Sequence, residues 1–443
     1  MWCAAYLCVA LLAGYAVVGR LVARGSRIER FGLSACLGPG LLGLCMIGLS
    51  MLGLRPSRGE IILLAALFAI PALSKWRRGV REAKEVKAPL PTYLKIWTAI
   101  CLAAIGYAVM VEGTQALVEP TTEWDAFMCW QLKAKVLVGG ALYPKPAYFS
   151  NAELGYSHLR YPVLMPMISA GVHAMTGRID DGLEKAPSLL LFIGVGAAVY
   201  AAVRRFSGHA AAITMTALML NLPAFYRYGC SGTAEMALTA FYGCSVVCLL
   251  RWQQSAAWGD LILAALFSAC AAWTKNEGMA LAAINALAVF NLSRSWRRSL
   301  AREMVFISII AILIAPWLLY IRTVPRIDED YASRISLAII AANSPRLPAI
   351  LRTMGLEFID WRQWGILWVA APALAALRWR GFDRRAAGML WALGLLQLMV
   401  YVLAYLANNW NIYDLLPVTM DRLLLHVSPV AAMLIGVMWG PAD

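Results

Sequence analysis

Charge is what this sequence has least of. Only 14% of its 443 residues are Asp, Glu, Lys or Arg, against about 25% in ordinary soluble domains. Apolar residues make up 61%, against about 45–50%, and the mean hydropathy is +0.66. No soluble core could bury that much apolar sequence. Disordered, collagen-like and disulfide-scaffold chains are excluded with it. Metal-ligand cysteine spacing is also missing. Of the ten cysteines, Cys3, Cys8, Cys36, Cys45, Cys101, Cys244, Cys248 and Cys270 fall in apolar runs and read as small buried residues. No CxxC or Cys/His pair has metal spacing. Cys129 and Cys230 lie near polar loops with nothing to pair them. There is no Gly-rich phosphate loop, no evident internal repeat and no Gly/Ser- or Pro-rich linker. The chain opens Met-Trp-Cys-Ala-Ala without a basic stretch, so its first apolar run reads as a retained helix, not a signal peptide.

Long apolar runs are what the sequence does have. A membrane span needs roughly 17–25 mostly apolar residues. Runs at 1–19, 31–54, 59–74, 93–111, 186–203, 209–225, 235–252, 258–273, 279–293, 304–321, 365–377, 385–406 and 423–440 fit or nearly fit. They predict an all-α polytopic membrane protein with about 13 transmembrane helices. Stretches at 126–138 and 161–177 are too short or too polar-flanked, and read as helices lying in the membrane surface.

The net charge of +14 then becomes an orientation signal, not a nucleic-acid one. Basic clusters follow alternate spans: Arg20, Arg24, Arg27 and Arg30; Lys75 to Lys87; Arg204, Arg205 and Arg251; Arg294 to Arg302; Arg378 to Arg385. Cytoplasmic loops are enriched in Lys and Arg. The pattern therefore predicts the inner membrane, with the N-terminus outside and the C-terminus inside. Counting 161–177 as a span would turn the last two clusters outward. Two long outer segments remain, 112–185 and 322–364, the second holding Asp328-Glu329-Asp330. Loops of that length without low complexity usually carry function. The expected organisation is an N-terminal helical region with a basic connector (1–90), a catalytic core (91–322), a second outer loop (323–364) and C-terminal helices (365–443).

Five polar constellations fall on the outer side of that map. Asp125 opens an amphipathic stretch with Trp124, Phe127, Met128 and Trp130, followed by Lys133 and Lys135. A carboxylate there is also an ordinary helix cap. His158 and Arg160 precede Tyr161-Pro162, where interface anchoring is the plainer explanation. Glu235 opens an apolar run. Lys275, Asn276 and Glu277 crowd a tight turn, where Lys275 either neutralises Glu277 or holds a phosphate. Arg422 and His426 are four apart and share a helix face, and ionisable groups inside a span are functional candidates. Convergence from separate parts of the chain predicts an outward site with at least two carboxylates and two cations.

These residues resemble the GT-C superfamily of polytopic glycosyltransferases, in its bacterial branch related to protein O-mannosyltransferases and the lipid A aminoarabinose transferase. The resemblance rests on Trp124-Asp-Ala with Trp130, Lys133-Ala-Lys135, His158 with Tyr161-Pro162, and Ala234-Glu-Met-Ala-Leu238. Trp273-Thr-Lys-Asn-Glu-Gly278 and Arg422 through His426-Val-Ser-Pro429 look like motifs of that branch. It covers roughly 93–321 and the C-terminal helix; the first 90 residues stand outside it. It implies a seven-helix core over about 93–321, two surface helices after the first core helix, and a polyprenyl-phosphate-linked sugar as donor. It also implies an acidic base in the first outer loop, which maps onto Asp125, with Glu123 the nearest other acid. Glu235 stands where the family's second carboxylate is often Asp.

The resulting expectation is inverting sugar transfer to a glycan, lipid or protein hydroxyl at the outer face. Asp125 is the base. Glu123, Lys133, Lys135, His158, Arg160, Tyr161, Glu235, Lys275, Asn276, Glu277, Arg422 and His426 bind substrates. No nucleic acid and no cofactor are expected, and a divalent metal near Asp125 and Glu235 is not favoured, because three good oxygen ligands are not evident. A transporter or lipid flippase is the reading from another class. Such proteins place binding groups near the midplane within inverted repeats, whereas these ionisable groups lie at span ends. An envelope polysaccharide ligase or polymerase would differ only in its acceptor.

Overall fold

The computed structural model describes residues 1–22, 25–77, 91–292, 296–326, 336–377 and 381–440. Arg24, the connector residues Arg78 to Lys87, Arg294, the run Asp328-Glu329-Asp330, Arg378 and Arg380 lie outside the described residues. Among the described residues the chain is helical, without a strand. It is an all-α polytopic membrane protein.

The helices follow the apolar runs. The first are α1 (Trp2–Leu21), α2 (Arg27–Met51), α3 (Arg58–Arg77) and α4 (Thr92–Leu117). A π-helical turn, Ala126–Gln131, leads into α5 (Leu132–Gly139), and α6 (Leu164–Thr176) follows. Next come α7 (Ala186–Leu220), α8 (Pro223–Tyr228), α9 (Glu235–Ser255), α10 (Trp258–Thr274), α11 (Asn276–Leu292) and α12 (Trp296–Tyr320). Three short helices, α13 (Leu337–Ala342), α14 (Leu347–Ile359) and α15 (Trp361–Trp364), precede α16 (Leu367–Leu377), α17 (Arg384–Ala407) and α18 (Ile412–Met438). Seven helices among the described residues are long and apolar enough to cross a membrane. Helices α10, α11 and α16 are apolar but shorter.

Local chemistry sets the ends. The Ser26 hydroxyl accepts the Glu29 N–H to open α2, the Asp383 carboxylate accepts the Arg385 and Ala386 N–H groups to open α17, and the Asn411 amide oxygen accepts the Tyr413 N–H to open α18. Such side chains satisfy backbone donors that a helix start leaves orphaned. The runs at 186–203 and 209–225 are two helical stretches within α7, parted as expected at Gly208, whose φ of 76° only glycine adopts readily. Two boundaries differ from expectation. Helix α18 begins at Ile412, not at 423, so Arg422 sits well inside it. Helix α16 spans 11 residues, short of the roughly 20 a span needs.

The bundle is graded from centre to rim. Within its most apolar window α18 is 94% buried, while α4 is 11% buried. The exposed side chains of α4 include Ile96, Ile100 and Met110, an apolar surface suited to lipid. Helices α1 and α2 pack closely through small residues. A Cβ on Gly38 would lie 1.9 Å from the Ala10 carbonyl oxygen, so the backbones touch there, as small residues permit in membrane helix pairs. Helix α2 also packs on α7, so the N-terminal pair joins the core directly. Helix α6, read from sequence as a surface helix, is 13 residues long and buried along nearly its whole length.

Candidate active site

The charged residues expected to converge do so at one end of the bundle. Asp125 lies just before the π-helical turn, where the extra residue per turn redirects the following side chains. Glu235 is the first residue of α9. It is aimed by the buried loop 229–234, which the Gln115 amide oxygen holds by accepting the Cys230 N–H at 3.0 Å. Lys275 occupies the turn between α10 and α11. Gly278 makes that turn possible: a Cβ there would lie 1.9 Å from the Ala271 carbonyl oxygen. Arg422 comes from the interior of α18.

Their contacts form one chain of opposite charges. Arg422 donates to the Asp125 carboxylate and reaches Glu235 Oε1 at 3.8 Å. Lys275 Nζ donates to the same Glu235 oxygen at 3.0 Å and lies 3.4 Å from Glu277 Oε1. Burial alone would lower the Lys275 pKa, but Glu235 and Glu277 beside it hold the ammonium above its ordinary range. So Lys275 neutralises Glu277, as the plainer expectation had it, and Glu235 besides. The Glu235 carboxylate is fully buried, while the Asp125 side chain is 32% exposed. Four polar atoms of the cluster have no hydrogen-bond partner: Glu235 Oε2, Glu277 Oε2, Arg422 Nε and His426 Nε2. Buried polar groups are nearly always satisfied, so these openings fit a site that completes its bonding with a ligand.

A packed aromatic unit walls one side. Lys133 is fully buried, donates to the His158 carbonyl at 2.7 Å and lies over the rings of Trp130 and Tyr161. The His158 ring stacks on Tyr161 with centroids 4.6 Å apart. Burial pushes the Cys129 thiol up, against the pull of the Lys133 ammonium 3.5 Å away. Cys129 lies within electrostatic reach of Asp125 and Lys275, which puts this wall beside the charged cluster.

Not every expected residue joins. Lys135 pairs with Asp181 at 3.0 Å on the exposed surface. Arg160 donates to the Val324 carbonyl at 3.3 Å. Glu123 and Asn276 are half-buried; the Glu123 carbonyl accepts the Ala126 and Phe127 N–H groups. Conversely, two residues absent from the sequence expectation support Arg422. The Asp421 carboxylate accepts the Tyr228 hydroxyl at 2.7 Å and Arg227 at 3.1 Å, and the Arg422 guanidinium lies over the Tyr228 ring at 5.9 Å. Burial and the adjacent Asp421 hold the Tyr228 phenol above its usual range, so it stays a donor. The signal for Asp421 was present, as an acid inside an apolar helix. The described residues contain no group of three or more His, Cys, Asp or Glu side chains placed to hold a metal ion.

A base candidate, a second carboxylate and two cations, gathered at one end of a polytopic helical bundle, have the makings of a group-transfer site in a membrane. The family model for dolichyl-phosphate-mannose-protein mannosyltransferase matches residues 161–320. The matched segment contains Glu235, Lys275 and Glu277, and stops short of Asp125 on one side and Arg422 on the other. It supports a membrane glycosyltransferase of the GT-C type. No curated protein and no solved structure matches the chain.

Proposed function

We propose that the protein transfers a sugar from a polyprenyl-phosphate-linked donor to an acceptor hydroxyl at the outer face of the inner membrane, with inversion at the anomeric carbon. The observation that carries this reading is the meeting of Asp125, Glu235, Lys275 and Arg422, drawn from four separate parts of the chain, around atoms left open for a ligand. The lipid phosphate competes with the carboxylates for Arg422 and Lys275. As Arg422 turns to the phosphate, Asp125 is released. The acceptor oxygen attacks the anomeric carbon, its proton passes to the Asp125 carboxylate, and the bond from that carbon to the phosphate oxygen breaks. The two cations then stabilise the leaving phosphate, as preorganised charges do elsewhere. A sugar acceptor, a lipid or a protein hydroxyl fits this chemistry equally, and envelope polysaccharide assembly differs only in the acceptor.

The test is sugar transfer in membranes carrying the wild-type or variant chain. A positioned base contributes about 10²–10⁴-fold, so Asp125→Asn is expected to lose that much activity while Glu123→Gln keeps most of it. Full transfer by the Asn variant removes Asp125 as the base. Mass spectrometry of envelope glycans with and without the gene tests the reaction class. Loss of one sugar supports transfer; unchanged glycans with altered solute uptake point to a transporter.

A further inference from the structure

Two of the helices that hold the charged cluster, α9 and α18, carry a neutral polar group one or two turns further along. On α9, Tyr242 follows Glu235 by seven residues, about 10 Å along the same face. On α18, His426 follows Arg422 by one turn. Helix α17 packs on both α11 and α18, and brings Gln397 and Tyr401, themselves one turn apart. All four side chains are 0–1% exposed. Tyr401 Oη and His426 Nδ1 are 3.2 Å apart, Gln397 lies beside the Tyr401 hydroxyl, and Tyr242 and Glu277 lie within its electrostatic reach. Yet the Tyr242 hydroxyl and His426 Nε2 have no hydrogen-bond partner, and the Gln397 amide, though beside the Tyr401 hydroxyl, makes no well-directed hydrogen bond.

One such group is an oddity; a cluster is a pattern. Each unsatisfied buried polar group costs stability, and a helix in lipid has no bulk water to relieve it. Leucine in place of Gln397, between Leu396 and Leu398, would remove the cost. The donor and acceptor set also differs from that of the charged cluster. Phosphate calls for cations, and a divalent metal calls for several anionic oxygens. Two phenols and an amide, with an imidazole nitrogen, offer mixed donors and acceptors. That mixture matches a neutral ring bearing several hydroxyls.

We propose that Tyr242, Gln397 and His426, with Tyr401 behind His426, form the floor of the donor site, and that the first three bind the hydroxyls of the transferred sugar, adjacent to the cations that take its phosphate. This rests on the donor reading above and adds to it the residues that distinguish a sugar-bearing lipid from a bare one. Gln397 and Tyr242 are specificity-determining, and Tyr401 orients His426 from behind.

The experiment compares two probes on purified protein in nanodiscs, read by native mass spectrometry. One is polyprenyl phosphate without a sugar. The other is the same lipid carrying mannose, glucose, galactosamine or arabinose in turn. The wild type is expected to prefer at least one sugar-bearing form. Gln397→Leu is expected to lose that preference by about tenfold, to bind the bare lipid phosphate as before, and to melt no lower than wild type. A structural amide would behave oppositely, lowering the melting temperature while leaving the preference intact, and that result overturns the proposal. If Gln397→Leu does not fold, Tyr242→Phe and Tyr401→Phe each remove a single hydroxyl and carry the same comparison. A wild type that binds the bare and sugar-bearing lipids equally overturns the sugar floor alone. A wild type that binds neither overturns the donor reading beneath it.

Discussion

Helix α9 has a charged cluster at each end, and the two are built differently. Near its C-terminal end, Arg251 donates to Asp260 at 2.8 Å and pairs with Glu29 at 2.6 Å. Arg205 takes the other Glu29 oxygen at 2.6 Å, and the Ser255 hydroxyl donates to the other Asp260 oxygen at 2.7 Å. Every carboxylate oxygen there has a partner, and the charges cancel. About 24 Å away along the helix, Glu235 and Glu277 share Lys275 and each leaves one oxygen open. The acids Asp125, Glu235 and Glu277 outnumber Lys275 and Arg422. Both clusters pin the same helix. Only one is closed. A buried charge network whose task is to hold helices together has every reason to saturate itself, because each orphan costs stability. A network that binds a ligand must keep some of its bonding capacity in reserve, and sites of this kind are where consistency between sequence and stability gives way.

The comparison breaks most visibly at Arg251. Replacing it with Met leaves Glu29 and Asp260 buried with one cation fewer, which typically costs about 3–5 kcal/mol. Arg251→Met is expected to lower the melting temperature of the purified protein sharply, or to abolish its accumulation in membranes. A variant as stable as wild type would mean that the closed network is not holding α2, α9 and α10 together.

At the open end the balance shifts from stability to activity. Glu277→Gln keeps the shape of the side chain and removes a charge that is already half-satisfied. Sugar transfer is expected to fall by about tenfold or more, the worth of a hydrogen bond to a charged group. Stability is expected to move by less than about 1 kcal/mol, as for other partly exposed pairs. Equal loss of stability in Glu277→Gln and Arg251→Met would erase the distinction between the two ends.

The sequence reveals these two ends unequally. Asp125, Glu235, Lys275 and Arg422 stand out because each interrupts or borders an apolar run, where a charge is expensive and needs a reason. Their pairing is invisible, since Asp125 and Arg422 are 297 positions apart. Asp414, Pro417, Asp421 and Arg422 depress the local hydropathy and hide the first half of α18, although packing against α9, α16 and α17 keeps it helical. Tyr242, Gln397 and Tyr401 escape notice for another reason. A tyrosine or a lone amide in an apolar run looks like core until its hydrogen bonds are traced in three dimensions. Lys133 errs in the other direction. Its charge suggests a ligand, and the fold uses it as a buried pin under His158.

Gly278→Ala probes how firmly the open end is positioned. The added methyl meets the Ala271 carbonyl oxygen at 1.9 Å, which forces α10 and α11 apart at the turn that carries Lys275. Overpacking of this kind costs about 1–3 kcal/mol. A melting curve gives the stability loss, and transfer assayed well below the melting temperature gives the rest. Activity is expected to fall further than the loss of folded protein explains, because Lys275 moves with the turn. Proportional losses would mean that the turn is only structural.

The smallest effect is expected at Lys135, and it sharpens the comparison by its smallness. Lys135 belongs to the same helical stretch as Lys133 and carries the same charge, but its side chain is 35% exposed and its partner Asp181 is 51% exposed. Water screens such a pair, and exposed ion pairs contribute about 0–1 kcal/mol. Lys135→Ala is expected to leave the melting temperature and the transfer rate close to wild type. Lys133→Ala instead removes a buried donor from the His158 carbonyl and from the wall beside Asp125. If Lys135→Ala impaired transfer as much as Lys133→Ala, position along the amphipathic stretch would matter more than burial. The site would then extend outward to the Asp181 loop, with the exposed pair part of the acceptor's path to Asp125.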